Sequence, residues 1–518
     1  MSKGKKEANR SRACAWSSLW YTNVRFRKPC LVGLAATFCL TGTAGGQPVA
    51  LLRHPYLQSV TPTSITVAWR TNVSTDSRVR YGTSPESLSL SATHSAVTQN
   101  HIVAITGLSP AMKYYYDVGS TSTVQGGGTA AHYFVTSPVA GSTTLLRVWV
   151  VGDSGTGTTT QTDVLNAMLS TAGAHPPDLA LHVGDIAYNG GTDDEFTNKY
   201  FTPYRNVLRN TCMWASLGNH DAVSADTGNQ TGPYYEAFVL PKGGEAGGVA
   251  SGTEAYYSFD YGNVHFISLD SQDSSRSPGS AMLDWLASDL AATSSDWLIA
   301  FWHHPPYSKG THDSDNAADS GGRMRDMRET VLPILEAAGV DLVLTGHSHI
   351  YERSYLIDQA YGYGTSPNYQ TPDFNTLIVN GNILDSGDGM PEGDGAYIKS
   401  DGLNAHDGTV YVVAGHGGQG TGGAGNHPVM YLWDTNYGSC LLDVSGNTLT
   451  LQNVRASGVV SDTFQLIKAP GKTWREMMLC LDGPAMELAP NCSPFDWNSD
   501  DHVDLKDVSA FLLNPGLP

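Results

Sequence analysis

The sequence predicts a multidomain α+β/α/β chain, with an N-terminal β-sandwich followed by a larger α/β sandwich domain. Three observations predict it. Residues 50–137 carry short alternating apolar runs broken by Gly, Ser and Pro, the pattern of half-buried strands joined by tight turns. From residue 145 the pattern changes to continuous apolar runs alternating with amphipathic stretches, which is how strands buried on both faces and their covering helices read. Composition agrees: 56 Gly and 26 Pro in 518 residues, with 40% apolar and 15% charged side chains, exclude a coiled coil, a disordered acidic chain and a helical membrane protein.

The chain opens on a basic stretch ending at Lys28. The apolar run Cys30–Leu40 follows, then small residues from Thr41 to Gly46. Basic, apolar, then small is the order of a secretory leader, and the run is too short to span a bilayer. Residues 1–46 are therefore expected to be a cleaved signal, and the protein to be secreted, periplasmic or on the cell surface. No later stretch is long and apolar enough for a membrane span after cleavage. The formal charge is −19; without the first 28 residues, 22 basic side chains face 48 acidic ones, about −26. A body that acidic repels polyphosphate, so no nucleic-acid binding is expected. Any phosphate chemistry needs local cations to reverse the field.

In the first domain, residues 50–137, Ser64-Ile-Thr-Val-Ala-Trp69 places Ile65, Val67 and Trp69 on one face. The runs 101–105 and 114–118 repeat the pattern. Regular short strands at this spacing argue for a sandwich of about 90 residues. Leu108-Ser-Pro110-Ala-Met-Lys-Tyr114 resembles the Leu…Pro…Tyr corner of fibronectin type III domains. The stretch holds no cluster of acids, bases or ligands, so a structural role is expected.

The second domain, residues 145–457, has predicted strands at 145–151, 179–183, 297–302 and 340–344. Predicted helices lie at 164–169, 282–290 and 327–337, and surface loops at 242–252 and 361–373. About 310 residues are ample for one core. Five places share a grammar in which an apolar strand ends and a ligand-bearing loop begins at once. They are Gly152-Asp153, Gly184-Asp185-Ile-Ala-Tyr188, Gly218-Asn219-His220-Asp221, His303-His304-Pro305 and Gly346-His347-Ser348-His349. Ligand sites of open α/β sheets gather beyond the carboxyl ends of strands, so these side chains can converge. Asp, Asn, His and Tyr mixed in five such positions read as a metal site.

These motifs in this order resemble the metallophosphoesterases, and Tyr188 in Gly-Asp-x-x-Tyr resembles the purple acid phosphatase branch, which also carries a fibronectin-like domain ahead of the catalytic one. The resemblance covers roughly residues 50–455. It implies that Asp153, Asp185, Tyr188 and His349 bind a ferric ion, and that Asp185 bridges to a divalent ion held by Asn219, His303 and His347. His303, rather than His304, is followed by x-Pro-x-Tyr307. Zn, Mn or Fe suits the divalent position. Two cations about 3.5–4 Å apart clamp the entering and leaving oxygens of an in-line phosphoryl displacement. A phenol of ordinary pKa about 10 serves as a phenolate in mild acid only on a strong Lewis acid such as Fe(III), which would also deprotonate a water to the attacking hydroxide. His220 and His312 are the candidate proton donors to the departing alkoxide. Asp313 stands where plant relatives tend to carry a second His, and His416 is a candidate for the rim.

At the far end, residues 470–518 form a tail. Asp496, Asn498, Asp500, His502 and Asp504 alternate along a tight loop and Asp507 falls at its twelfth position, spacing that wraps a hard cation such as Ca²⁺. The stretch resembles one dockerin-type repeat, with Asp501 in place of the usual Gly and no second copy, and a protein partner for the tail is one implication. Cys480 and Cys492 are the best disulfide candidates in an oxidising compartment; Cys212 and Cys440 read equally as buried thiols. The expected function is an exported binuclear-metal acid phosphatase, a metal-dependent phosphoric monoester hydrolase whose partner is a small phosphate ester. The alternatives are a phosphodiesterase or nucleotidase on the same fold, and a non-catalytic surface binding protein.

Overall fold

The computed structural model describes residues 48–362 and 371–469. The leader 1–46, Cys480 and Cys492, and the loop of Asp496, Asn498, Asp500, His502, Asp504 and Asp507 lie outside the described residues. No helix among the described residues is long and apolar enough to cross a membrane.

The N-terminal β-domain has six strands: Leu51–Gln58, Ser64–Gly82, Leu90–Thr106, Lys113–Gly119, Val124–Gly127 and Tyr133–Val135. Two are far longer than the short strands expected. Ser64–Gly82 pairs with Leu51–Gln58 through its first half and with Lys113–Gly119 through its second, while Leu90–Thr106 runs antiparallel along both halves. Register breaks between Arg70 and Ser77 supply the bend. A bulge adds local twist, so one strand can serve two differently oriented halves of a sheet. Ile65, Val67 and Trp69 are buried as the alternation requires. At the Leu108…Tyr114 corner, the Ser109 N–H donates to the Tyr114 hydroxyl at 3.0 Å.

The following domain stacks two seven-stranded sheets. One runs Tyr397–Ser400, Val460–Ala469, Thr448–Arg455, Gly438–Ser445, Leu146–Val151, Leu179–His182, Cys212–Ala215. The other runs Tyr257–Tyr261, Val264–Ser268, Trp297–Phe301, Leu342–Thr345, Val410–Ala414, Tyr351–Ser354, Met430–Asp434. Alternate residues of a strand face opposite ways, and the core divides accordingly. Phe266, Ile299, Phe301, Leu342 and Leu344 join Val148 and Val150 of the first sheet in one cluster. Ile267, Leu298, Ala300 and Val343 join Met282, Leu283 and Leu286 of helix Ala281–Ala292 in another. Both faces of the second sheet are thus buried, which is why its strands read as continuous apolar runs.

Several boundaries shift. The helix expected at 164–169 spans Thr159–Ala172, and that at 282–290 spans Ala281–Ala292. The helix expected at 327–337 begins at Arg323 and widens to a π-turn over Met327–Val331 before Leu332–Ala337. Pro333 has no N–H for an i−4 carbonyl, and a π-turn absorbs the mismatch. The boundary expected at 457 falls inside a hairpin: Thr448–Arg455 pairs antiparallel with Val460–Ala469, so the sheet continues twelve residues further. The turn signal around Gly458 closes a hairpin rather than a domain. Cys212 and Cys440 are buried free thiols.

The two domains share a seam. Arg53, itself buried, reaches Asp193 Oδ1 at 2.5 Å, and Arg70 reaches the other oxygen of the same carboxylate at 2.5 Å. The Arg53 guanidinium lies 4.4 Å over the Phe201 ring, and Tyr56 packs 4.7 Å from that ring. Val239 N–H donates to Gln58 Oε1 at 3.0 Å, and Tyr116 hydroxyl to the Arg209 carbonyl at 2.7 Å. Apolar residues of both domains form one continuous cluster.

Candidate metal centre

Five parallel strands point their carboxyl ends at one place. Leu146–Val151 delivers Asp153, Leu179–His182 delivers Asp185 and Tyr188, and Cys212–Ala215 delivers Asn219. From the other sheet, Trp297–Phe301 delivers His303, and Leu342–Thr345 delivers His347 and His349. The chain must turn sharply beside each strand end. Three of these residues, Asp153 (φ 54°), Asp185 (φ 55°) and His347 (φ 64°), sit in the left-handed region. A non-Gly residue there costs of order 1–3 kcal/mol and persists where its surroundings fix it, typically at functional sites. Gly184, at φ 92°, has no room for a side chain, since a Cβ would strike the His303 imidazole.

The seven donors fall into two groups joined by Asp185. In the first, the Tyr188 hydroxyl lies 2.9 Å from Asp153 Oδ1 and 3.4 Å from His349 Nε2, and His349 Nε2 lies 3.6 Å from Asp153 Oδ1. In the second, Asn219 Oδ1 lies 3.0 Å from His303 Nε2 and 2.9 Å from His347 Nδ1, with the two imidazole nitrogens 3.3 Å apart. Asp185 Oδ1 lies 3.5 Å from His303 Nε2, and the Asp185 carboxylate also faces the Tyr188 hydroxyl. Donor atoms of Asp153, Asp185 and His303 lie within 4.8 Å of one another.

The imidazoles are set for cations. The Nδ1–H of His303 donates to the Val183 carbonyl at 2.9 Å, and that of His349 to the Gly420 carbonyl at 3.1 Å. His347 turns its Nε2 to Ser320 Oγ at 2.6 Å. Each ring thus spends its outer nitrogen on the protein, and its inner nitrogen presents a lone pair to the centre, the arrangement that fixes metal-ligating histidines. Without a cation these inward acceptors crowd one another, and protons must compensate. Burial opposes charge on His303, yet the Asp185 carboxylate outweighs it and takes the ring up to about 9. Burial, helped by the Asp153 and Asp185 charges, pushes the Tyr188 phenol well above its ordinary value. The donor set therefore fits two cations, and Tyr188 needs a strong one to ionise.

His304 is committed elsewhere: its Nδ1 pairs with Ser271 Oγ at 2.9 Å, and burial together with His303 holds the ring well below its ordinary pKa. The His304 ring lies 5.0 Å from that of His303 and 4.3 Å from that of His347, so its hydrogen bonding rather than its distance sets it apart. His303→Ala should therefore lower content of the second metal far more than His304→Ala, measured by elemental analysis of the purified variants. The reverse ranking would reassign the ligand.

His220 and His312 stand beside the donors. His220 gives its Nδ1–H to the Asn189 carbonyl at 2.7 Å, leaving Nε2 4.0 Å from Asp185. His312 stacks on His347 at 4.0 Å between ring centres and pairs its Nδ1 with Asp319 Oδ1 at 2.8 Å. Asp313 faces Lys309 at 2.5 Å instead. His416 is not at a rim. It is wholly buried, bonded through Nε2 to Asn453 Oδ1 at 2.8 Å, and burial lowers its pKa to about 4.

Sequence reasoning missed the supports. Asp221 is buried and accepts N–H bonds from Ile186 at 3.0 Å and Gly218 at 3.2 Å, tying two ligand loops together. Burial and the nearby Asp185 charge raise it to about 7. Glu352 accepts from Lys309 N–H at 3.0 Å and from Ser308. Asp221 closes the Gly218-Asn219-His220-Asp221 motif and Glu352 lies three residues beyond His349, so their positions were available. Asp319 and Ser320, in a Gly-rich turn, carry no such signal.

The calcineurin-like phosphoesterase family model matches residues 146–351, and the model of the purple acid phosphatase N-terminal domain matches residues 53–139. Purple acid phosphatase 15 of Arabidopsis thaliana is 30% identical over 294 residues, covering 52% of this chain and 51% of that protein. Purple acid phosphatase 23 of the same plant is 28% identical over 311 residues, covering 55% and 62%. The chain thus spans about half to three fifths of the length of these relatives. A purple acid phosphatase from yellow lupin (Lupinus luteus) seeds shares the fold, with a TM-score of 0.59 at 19% identity over 84% of this chain and 77% of the lupin chain. Residues 53–139 are thus similar to the purple acid phosphatase N-terminal domain and residues 146–351 to calcineurin-like phosphoesterases, in the order in which the two lie along this fold.

Proposed function

We propose that the protein is an exported acid phosphatase that hydrolyses small phosphate monoesters with a ferric ion and one divalent ion of Zn, Mn or Fe. The observation that supports this most is the pair of donor groups sharing Asp185. Asp153, Tyr188 and His349 would hold the ferric ion, and Asn219, His303 and His347 the divalent one, with Asp185 common to both. A cation pair bound there would polarise the ester phosphate and lower the pKa of a water, worth several kcal/mol of transition-state stabilisation.

The chain's own residues do the rest. His220 and His312 both spend Nδ1 on fixed acceptors, Asn189 carbonyl and Asp319 carboxylate. As an imidazolium, each can then donate its Nε2–H to a phosphate oxygen or give that proton to the departing alkoxide. Asp319 is itself held by the Asp313 N–H at 2.9 Å and the Ser320 hydroxyl at 2.8 Å, so the His312 ring has little freedom.

Elemental analysis with a visible spectrum tests the proposal directly. About two metals per chain, iron among them, and a phenolate-to-iron band are expected. Tyr188→Phe should remove the band while the protein stays folded; a band that survives would mean Tyr188 is not a ligand. Faster turnover of a generic monoester than of a diester is expected below neutral pH, and the opposite preference would move the reading to phosphodiester chemistry.

A further inference from the structure

A second donor cluster lies away from this centre. Glu336 sits in the helix Leu332–Ala337, Asp358 follows the strand Leu356–Ile357, and His406 precedes the strand Val410–Ala414. One donor atom from each falls within 4.8 Å of the others. The carboxyl end of Val410–Ala414 leads into Gly415, beside Ser348 and Asp153. The cluster is at its other end, about 16 Å away along a five-residue strand.

Glu336 and Asp358 are buried, while the His406 side chain is 39% exposed and leaves a way in. His406 Nδ1 lies 3.0 Å from Asp358 Oδ1, and the His406 N–H donates to the Glu336 carbonyl at 2.9 Å. Glu336 accepts the Gln359 N–H at 2.8 Å and the Tyr411 hydroxyl, and Gln359 Nε2 bonds Asp358 Oδ2 at 3.1 Å. Among the described residues no Lys or Arg comes within ion-pair distance of either carboxylate; His406 is the only ionisable base there. The Tyr361 hydroxyl, its oxygen shut from solvent, also faces Glu336. Burial, with Asp358 adding to it, pushes Glu336 up to about 8. Two buried carboxylates with no cationic partner of full charge are costly.

We propose that Glu336, Asp358 and His406 hold a divalent cation of borderline hardness, Zn²⁺ or Mn²⁺, with water completing its shell on the exposed side. Two carboxylates and one imidazole suit these ions. The ion ties the end of one helix to the segment around Asp358 and to the loop carrying His406. It has no part in phosphate chemistry and does not depend on the function proposed above.

The test equilibrates the full-length protein and two variants, His406→Asn and Glu336→Gln, with excess Zn²⁺, removes free ion, and counts zinc per chain. Asn tolerates the left-handed φ of 59° at position 406. Zinc at the seven-donor centre is common to all three proteins and cancels in the difference. Each variant should carry one equivalent less and lose the part of the zinc-induced rise in Tm that the wild type shows. Equal zinc and equal Tm response in wild type and variants would overturn the site and leave a proton-sharing carboxyl pair. Should Glu336→Gln not fold, the half-exposed His406→Asn decides alone.

Discussion

Asp185→Asn is expected to cost roughly a thousandfold in kcat/KM and to lower occupancy of both metal positions at once. The carboxylate stands between the two donor groups, 3.5 Å from His303 Nε2 and facing the Tyr188 hydroxyl. Asn keeps its volume and can still accept the His220 N–H, which reaches Asp185 Oδ1 at 2.9 Å. What it loses is the negative charge that the two proposed cations would share. A cation pair supplies several kcal/mol to the transition state, and each 1.36 kcal/mol is a factor of ten, so losing about 4 kcal/mol gives the stated effect. Elemental analysis and kcat/KM on the same folded preparation read it. Undiminished iron and divalent metal in the variant would remove Asp185 from its bridging place.

Gly218→Ala should damage stability and metal content together. A Cβ at residue 218 would run into the backbone nitrogen and the carboxylate of Asp185. Neither can move without dislodging a ligand, because Asp185 is buried and its loop is pinned by Asp221 to the Ile186 N–H. Overpacking of this kind costs about 3 kcal/mol, read as a drop in the denaturation midpoint. Gly228→Ala is the control: its added methyl meets only Asp226 Oδ1 at 3.4 Å, and a change within about 0.5 kcal/mol is expected. Equal effects at the two positions would mean that the fit around Asp185 is loose.

The convergence of the seven side chains was legible because each lies just beyond the end of an apolar strand, so chain order alone brings them together. His303 and His304 show where that logic stops. Both follow the same strand, and only the packing of neighbours, Val183 for one and Ser271 for the other, separates them. His416 misled for the opposite reason: a Gly-rich loop reads as exposed, yet Asn453 from a later strand holds its ring inside. That strand belongs to the antiparallel wing 438–469, whose extent was missed because its turn signals look like a boundary. The bent strand Ser64–Gly82 was cut short in the reading because polar residues from Arg70 to Ser77 interrupt its alternation. They are the bend itself. Asp319 acts only through its distance to His312, and no periodicity encodes that.

The seam at Asp193 has a consequence for how such chains can be recombined. One carboxylate, five residues beyond Tyr188, is gripped by two arginines from the leading sandwich. The sandwich is therefore not a bead that can be swapped on a string. Any chimaera that keeps the phosphoesterase-like half must inherit Arg53 and Arg70 with it, or redesign the ground on which the tyrosine loop stands.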